Sequence, residues 1–181
     1  MFPKVHQWLV RQAQRRPSPA VRWLILALGF FFFEGVLPAA VILVGFWLDV
    51  RLGLPMWPLS PLRIVGGMLL ALAGFTLVLA VVWVQYSEGQ GTPSPLAPPQ
   101  RLLTQGPYAW VRNPMYLGAV VYFAGLLLAA GTWMGWALWA LGVAALAAEV
   151  IWIEEPELEA RFGQAYRRYK QRVPRFLPRL W

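Results

Sequence analysis

Cysteine is absent from the 181 residues, and histidine occurs once, as His6. Without thiols the chain has no disulfide, no cysteine nucleophile and no thiolate metal site. A solitary imidazole near the N-terminus has no companion ligand, so no metal is expected. Charge is scarce as well. Asp, Glu, Lys and Arg make up 13% of the chain, against about a quarter in an ordinary soluble domain. No uninterrupted apolar run followed by a small-residue cleavage site opens the sequence, so no signal peptide is expected.

Apolar surface is what the chain has in excess. Hydrophobic residues reach 59%, with eleven Trp and ten Phe, and the mean hydropathy is +0.51. A body of this size cannot bury so much of it. Lipid is expected to cover the remainder, with aromatic rings at the membrane–water boundary. The net charge of +8 would suit nucleic acid, but the basic residues flank apolar runs. There they set orientation and meet anionic headgroups, so membrane lipids, and no nucleic acid, are the expected partners.

Four apolar stretches follow one another: Val21 to Leu48, Ile64 to Val84, Pro114 to Gly131-Thr132, and Trp133 to Ile153. Each approaches or exceeds the roughly 20 residues that cross about 30 Å of hydrocarbon. The expected architecture is all-α and polytopic, with about four transmembrane helices. The last two are separated by only two residues and read as a tight antiparallel hairpin, followed by a C-terminal amphipathic helix. In that helix Leu158, Phe162, Tyr166, Tyr169 and Val173 form one stripe, and Pro174 and Pro178 end it. Residues 1–20 read as a basic interfacial arm, 21–86 as the first two spans, and 87–181 as loop, hairpin and final helix. Gly66, Gly67, Ala71 and Gly74 read as a close helix contact. Fourteen Lys and Arg fall on the side of both termini and of the 87–114 loop, and two, Arg51 and Arg63, on the other. Such a bias puts the termini and that loop in the cytoplasm.

Two segments carry chemistry: GPYAWVRNPMYLG from Gly106 and IEEPELEARFGQAYRRY from Ile153. If the hairpin pairs about 131–132, Asn113, Pro114 and Tyr116 face Glu149, and Tyr108 to Arg112 face Glu154. The assembled groups are carboxylates, a guanidinium, an amide and phenols, with neither a thiol nor an imidazole. That set suits a reaction in which a cofactor supplies the reactivity and the protein aligns it. A sulfonium donor fits: carboxylates and aromatic faces attract its cationic part, and Arg112 matches its carboxylate.

The two segments resemble the signature of the isoprenylcysteine carboxyl methyltransferase family, which includes the phospholipid N-methyltransferases. Its pattern G-x-Y-x-x-x-R-H/N-P-x-Y, hairpin, acidic pair, F-G-x-x-Y-x-x-Y and V-P is met in full between about Gly91 and Pro178, with Asn113 where His is frequent. The resemblance implies a membrane methyltransferase that binds S-adenosylmethionine through Leu102, Leu103, Tyr108, Asn113, Pro114, Met115, Tyr116 and Glu154. Arg112, Glu154 and Glu155 are the implied catalytic residues. The site would face the cytoplasm from a prokaryotic inner membrane and take a lipophilic or small acceptor: an isoprenylcysteine-like carboxylate, a phospholipid amine or a thiol. A family arginine that helps hold prenylcysteine aligns near Val150 and is missing, so that acceptor does not carry over. Gly89-Gln90-Gly91 is similar to the G-x-G of phospholipid methyltransferases.

Plainer readings stand beside these. Arg112 has the alternative reading of a snorkelling anchor, and Glu154 and Glu155 that of acidic residues at a helix start before Pro156. Glu149 either lines the site or is neutral and hydrogen-bonded. Glu34, four residues before Pro38, reads as bonding to backbone that the proline frees. The other functions open to the chain are an NADPH-dependent sterol-type reductase and a non-catalytic membrane scaffold of the same fold.

Overall fold

The computed structural model describes residues 17–178; the expected basic arm, with His6, lies almost wholly outside them. Among the described residues the chain is all helix and turn. Helix α1 spans Pro19–Arg51, α2 Pro61–Ser87, α3 Pro114–Ala130, α4 Trp133–Phe162 and α5 Gln164–Arg172. α1, α2 and α4 are long and apolar enough to cross a membrane, and α3 is apolar but shorter, at 17 residues. Large apolar side chains such as Phe31, Leu69 and Leu141 point outward, as in a membrane protein.

Two prolines shape the long helices. α1 opens into wide π turns over Phe31–Val36, and α4 does so over Val150–Glu154. Each wide stretch ends two residues before a proline, Pro38 or Pro156. A proline ring crowds the carbonyl four residues back and offers it no N–H, and a π bulge relieves that crowding. At Pro38 the carbonyl left over is that of Glu34, and the Tyr122 hydroxyl donates to it at 2.7 Å. The expectation for Glu34 is therefore corrected: its main chain is the partner, while its side-chain Oε2 is buried without one. At Pro156 the helix continues to Phe162, beyond the expected end at Ile153. It stops instead at Gly163, whose φ of +53° is open to glycine. The single amphipathic helix expected after 153 is thus the end of α4 plus the short α5, with Tyr166 and Tyr169 fully turned inward.

α2 and α3 lie against each other through small residues. A Cβ on Gly67 would come within 2.6 Å of Gly125 O, and one on Gly118 within 2.9 Å of Val78 Cγ2. Ala71 and Gly74 complete the α2 face, whereas a Cβ on Gly66 would meet open space; the expectation holds for the other three positions. Close approach of this kind drives helix association in lipid, where no hydrophobic force acts between helices. α3 leans chiefly on α2, and α1 on α4. α3 meets α4 at fewer points, among them Trp139 Nε1 donating to Val120 O at 3.2 Å.

The start of α4 is held from α1. Trp133 N and Met134 N donate to Asp49 Oδ2 and Oδ1 at 3.0 and 2.9 Å, and Gly135 N donates to Thr132 Oγ1. Three orphan N–H groups of a helix start are satisfied this way. Asp49, expected in a loop after Leu48, is a buried residue of α1, which runs on to Arg51. Arg63 closes the other side of the turn by donating from Nη1 to Leu128 O at 3.2 Å.

Neighbouring substitutions separate contact from propensity. Gly67→Val is expected to destabilise the protein by about 1–3 kcal/mol through overpacking, and Gly66→Val to leave it unchanged or slightly firmer. Thermal unfolding in one detergent compares the two.

Candidate active site

At one end of the helices the 88–105 loop, a 3-10 turn at Gly106–Ala109, the first turn of α3, the end of α4 and α5 surround a cavity of about 170 Å³. The loop doubles back on α2: Gly91 N donates to Gln85 O at 3.0 Å, Gln100 N to Gly89 O at 2.7 Å and Thr92 N to Ala97 O at 2.7 Å. Pro98 and Pro99 press against the glycines. A Cβ on Gly91 would lie 2.5 Å from Pro98 C, and one on Gly89 2.6 Å from Gln85 O. The G-x-G is therefore needed to close this loop. Arg161 fastens the same loop to α4, pairing with Glu157 at 3.1 Å and donating to Pro99 O.

Six of the residues expected at the site line the cavity: Leu102, Leu103, Tyr108, Arg112, Tyr116 and Glu154. Tyr108 is cross-braced. Its hydroxyl accepts from Gln85 Nε2 at 2.6 Å, and its carbonyl accepts from the Tyr169 hydroxyl at 2.6 Å. Burial pushes the phenols of Tyr108, Tyr166 and Tyr169 well above their ordinary range, so they remain neutral hydrogen-bonding groups. Tyr116 donates its hydroxyl to Glu149 Oε2 at 2.8 Å. Glu149 lines the cavity and is hydrogen-bonded as well.

The other four are turned elsewhere. Asn113 is spent on the chain after α5: its N and Nδ2 donate to Arg175 O at 3.2 and 3.1 Å. Pro114 is buried as the first residue of α3, and Met115 packs against Leu26, Val78 and Val82. Glu155 stands behind Arg112, at 3.0 Å from its Nη2. It also accepts from Arg175 Nε and Nη2 at 3.0 and 2.9 Å. A carboxylate engaged by two guanidinium groups and buried to 5% side-chain exposure is not available to substrate.

Gln85, Glu157 and Arg161 line the cavity without having been expected there. For Gln85 the signal was present. Gly67, Ala71, Gly74, Val78, Val81 and Gln85 are all buried and recur at alternating steps of four and three, so the amide falls on the face that meets protein. Arg161 and Glu157 fall in the stretch read as a C-terminal amphipathic helix, outside its apolar stripe.

Several cavity-lining groups are left over. Glu154 Oε2, Gln85 Oε1, Arg112 Nε and Arg112 Nη1 are buried without a hydrogen-bond partner. Unsatisfied buried polar atoms cost about 1–3 kcal/mol each, more when charged. A carboxyl oxygen, an amide oxygen and a guanidinium, each with unmet hydrogen-bonding capacity, thus belong to residues around one cavity. Among the described residues no cluster of His, Asp and Glu could hold a metal ion.

The sequence model of the phospholipid methyltransferase family matches residues 62–165, more than half of the chain, from the first turn of α2 to the start of α5. A protein-S-isoprenylcysteine O-methyltransferase of Schizosaccharomyces pombe is 32% identical over 77 residues, covering 42% of this chain and 33% of that protein. The match thus spans about a third of the relative's length. No solved structure matches the chain.

The loop closure is open to test. Gly91→Ala is expected to force the 88–100 segment off α2, at a cost of roughly 1–3 kcal/mol. Limited proteolysis should then cut within that segment, while circular dichroism shows unaltered helix content.

Proposed function

The chain belongs to the phospholipid methyltransferase family, and from that premise we propose that it transfers a methyl group from S-adenosylmethionine to an acceptor drawn from the membrane. The observation that carries this reading is the set of buried, partnerless polar atoms around one cavity: Glu154 Oε2, Gln85 Oε1, Arg112 Nε and Arg112 Nη1. They complement, group by group, the ammonium, the nucleobase amine and the carboxylate of that donor. When bound, the donor supplies an electrophilic methyl on a sulfonium.

The chain's own residues do the rest. Arg112 keeps two partnerless nitrogens, Nε and Nη1, either of which can meet a carboxylate in a pairing made stronger by charge. Glu154 offers a carboxylate oxygen to the cationic part. Tyr108 fixes the Gln85 amide, whose other half faces the nucleobase. The proline-rich loop and the α5 tyrosines wall the cavity from water, which strengthens each electrostatic contact. Alignment of donor and acceptor is the main contribution to rate, as expected for an in-line displacement. With Glu155 engaged by two arginines, Glu149 Oε2, held by the Tyr116 hydroxyl, is the group suited to take a proton from a protonated acceptor.

The membrane arrangement in this reading has four crossings. α3, though short, is the third, and α3 and α4 form a hairpin whose base supplies Tyr116 on one side and Glu149 and Glu154 on the other. The excess of Lys and Arg near the termini and the 87–114 loop supports a cytoplasmic site. Residues 87–181 carry most of it, joined by Gln85 at the end of α2. The acceptor is lipophilic and reaches the cavity from the bilayer; an amine, a carboxylate and a thiol all suit the residues present.

Calorimetry on the detergent-purified protein tests the donor. S-adenosylmethionine should bind, and Glu154→Ala should weaken binding by about tenfold or more through loss of a charged hydrogen bond while leaving thermal stability intact. Binding of NADPH in place of S-adenosylmethionine would refute the reading in favour of a reductase. Undiminished affinity in Glu154→Ala would remove Glu154 from the site. Incubation with labelled donor and a native lipid extract then identifies the acceptor as the labelled product.

A further inference from the structure

The segment after α5 reaches back across the molecule. Pro174 O accepts from Arg112 N at 2.8 Å, and Arg175 O accepts from both Asn113 N and Asn113 Nδ2. Its side chain then grips Glu155 with two nitrogens, Nε at 3.0 Å and Nη2 at 2.9 Å. Arg112 Nη2 lies 3.0 Å from Oε1, the oxygen that also accepts from Arg175 Nε, with side-chain exposures of 7% for Arg112 and 5% for Glu155. Main chain and side chain of one short segment thus hold Arg112 and its neighbour from behind. The Arg112 Nε and Nη1 groups are left buried and partnerless, on a residue that lines the cavity.

The charges explain why two arginines are needed. A lone Glu155 beside Arg112 would cancel its charge and compete with any anion for it. Arg175 occupies both oxygens of Glu155, so the three groups together keep one net positive charge. Glu155 meanwhile restrains the guanidinium, because Arg112 Nη2 lies 3.0 Å from Glu155 Oε1. The result is a held guanidinium with a net positive charge beside it, on a residue that lines the cavity, whose Nε or Nη1 can meet a carboxylate with a charge-assisted hydrogen bond. Holding it from behind keeps the ordering cost out of ligand binding.

We propose that Glu155 and Arg175 are positioning residues that set Arg112 for the donor's carboxylate, making the segment after α5 a working part of the donor site. This rests on the donor reading above. Neither residue touches the donor; both act through Arg112.

The test compares two donors on the intact protein in detergent: S-adenosylmethionine and its decarboxylated form, which keeps the sulfonium, the nucleoside and the amine. Arg175→Ala should weaken S-adenosylmethionine about tenfold and the decarboxylated donor less than about twofold, because only the former engages Arg112. Arg175→Lys, which restores a charge but not the two-pronged grip, should recover part of the loss. If Arg175→Ala does not fold, Arg175→Lys carries the comparison, with a smaller loss again confined to the donor that has a carboxylate. Equal losses for both donors would mean that Arg175 only fastens the chain end, and unchanged affinity for both would mean that it does not act on Arg112; either overturns the proposal. A wild-type protein that binds neither donor overturns the donor reading itself, and so is told apart from a failure of the positioning role alone.

Discussion

Glu155, buried between the guanidinium groups of Arg112 and Arg175, is the interaction on which the site end of the molecule depends. Those three residues belong to the lead-in of α3, the late part of α4 and the tail after α5. Removing one partner of a buried ion pair strands a charge and costs about 3–5 kcal/mol. Here it would also release the lead-in of α3, whose main chain is bonded to the same tail. One carboxylate thereby couples the fold to the cavity proposed for the donor.

Farther from the site, the apolar surroundings impose a second constraint. Backbone groups in a bilayer must find partners within the protein. The carbonyl that Pro38 leaves unbonded takes the Tyr122 hydroxyl, and the first amides of α4 take the Asp49 carboxylate. Both are long-range matches between helices, so they fix how α1 sits against α3 and α4. The small-residue contact of α2 with α3 does the same without polar groups. Together these fastenings form a frame that leaves α5 and the proline-rich loop to close the cavity.

The sequence made the four apolar stretches legible because their composition is extreme and their breaks coincide with Pro, Gly and Thr. Pairing was less legible. Gly67, Ala71 and Gly74 announced a contact face, but their partners Gly118 and Gly125 lie in a run with no period that distinguishes one side. The extents of α1 and α4 were underestimated for a related reason: Asp49 and Glu154 read as helix breaks by polarity, whereas each is bonded or buried within a continuous helix. At the site, the motif residues that face the cavity and those that do not share one short string. Asn113 and Glu155 differ from their neighbours Arg112 and Glu154 in which way the backbone aims the side chain and in what the tail supplies. Arg175 carried no signal, since its role exists only through the fold. Gln85 did carry one, as the last step of the buried repeat on α2.

The central claim is that two stretches far apart in sequence, around Tyr108–Tyr116 and around Glu149–Tyr169, share one cavity for S-adenosylmethionine. Direct photolabelling with the radioactive donor, followed by peptide mapping, tests it most directly. Label in both stretches, displaced by excess unlabelled donor, is the expected result. Label confined to one stretch, or found only on α1, would contradict it.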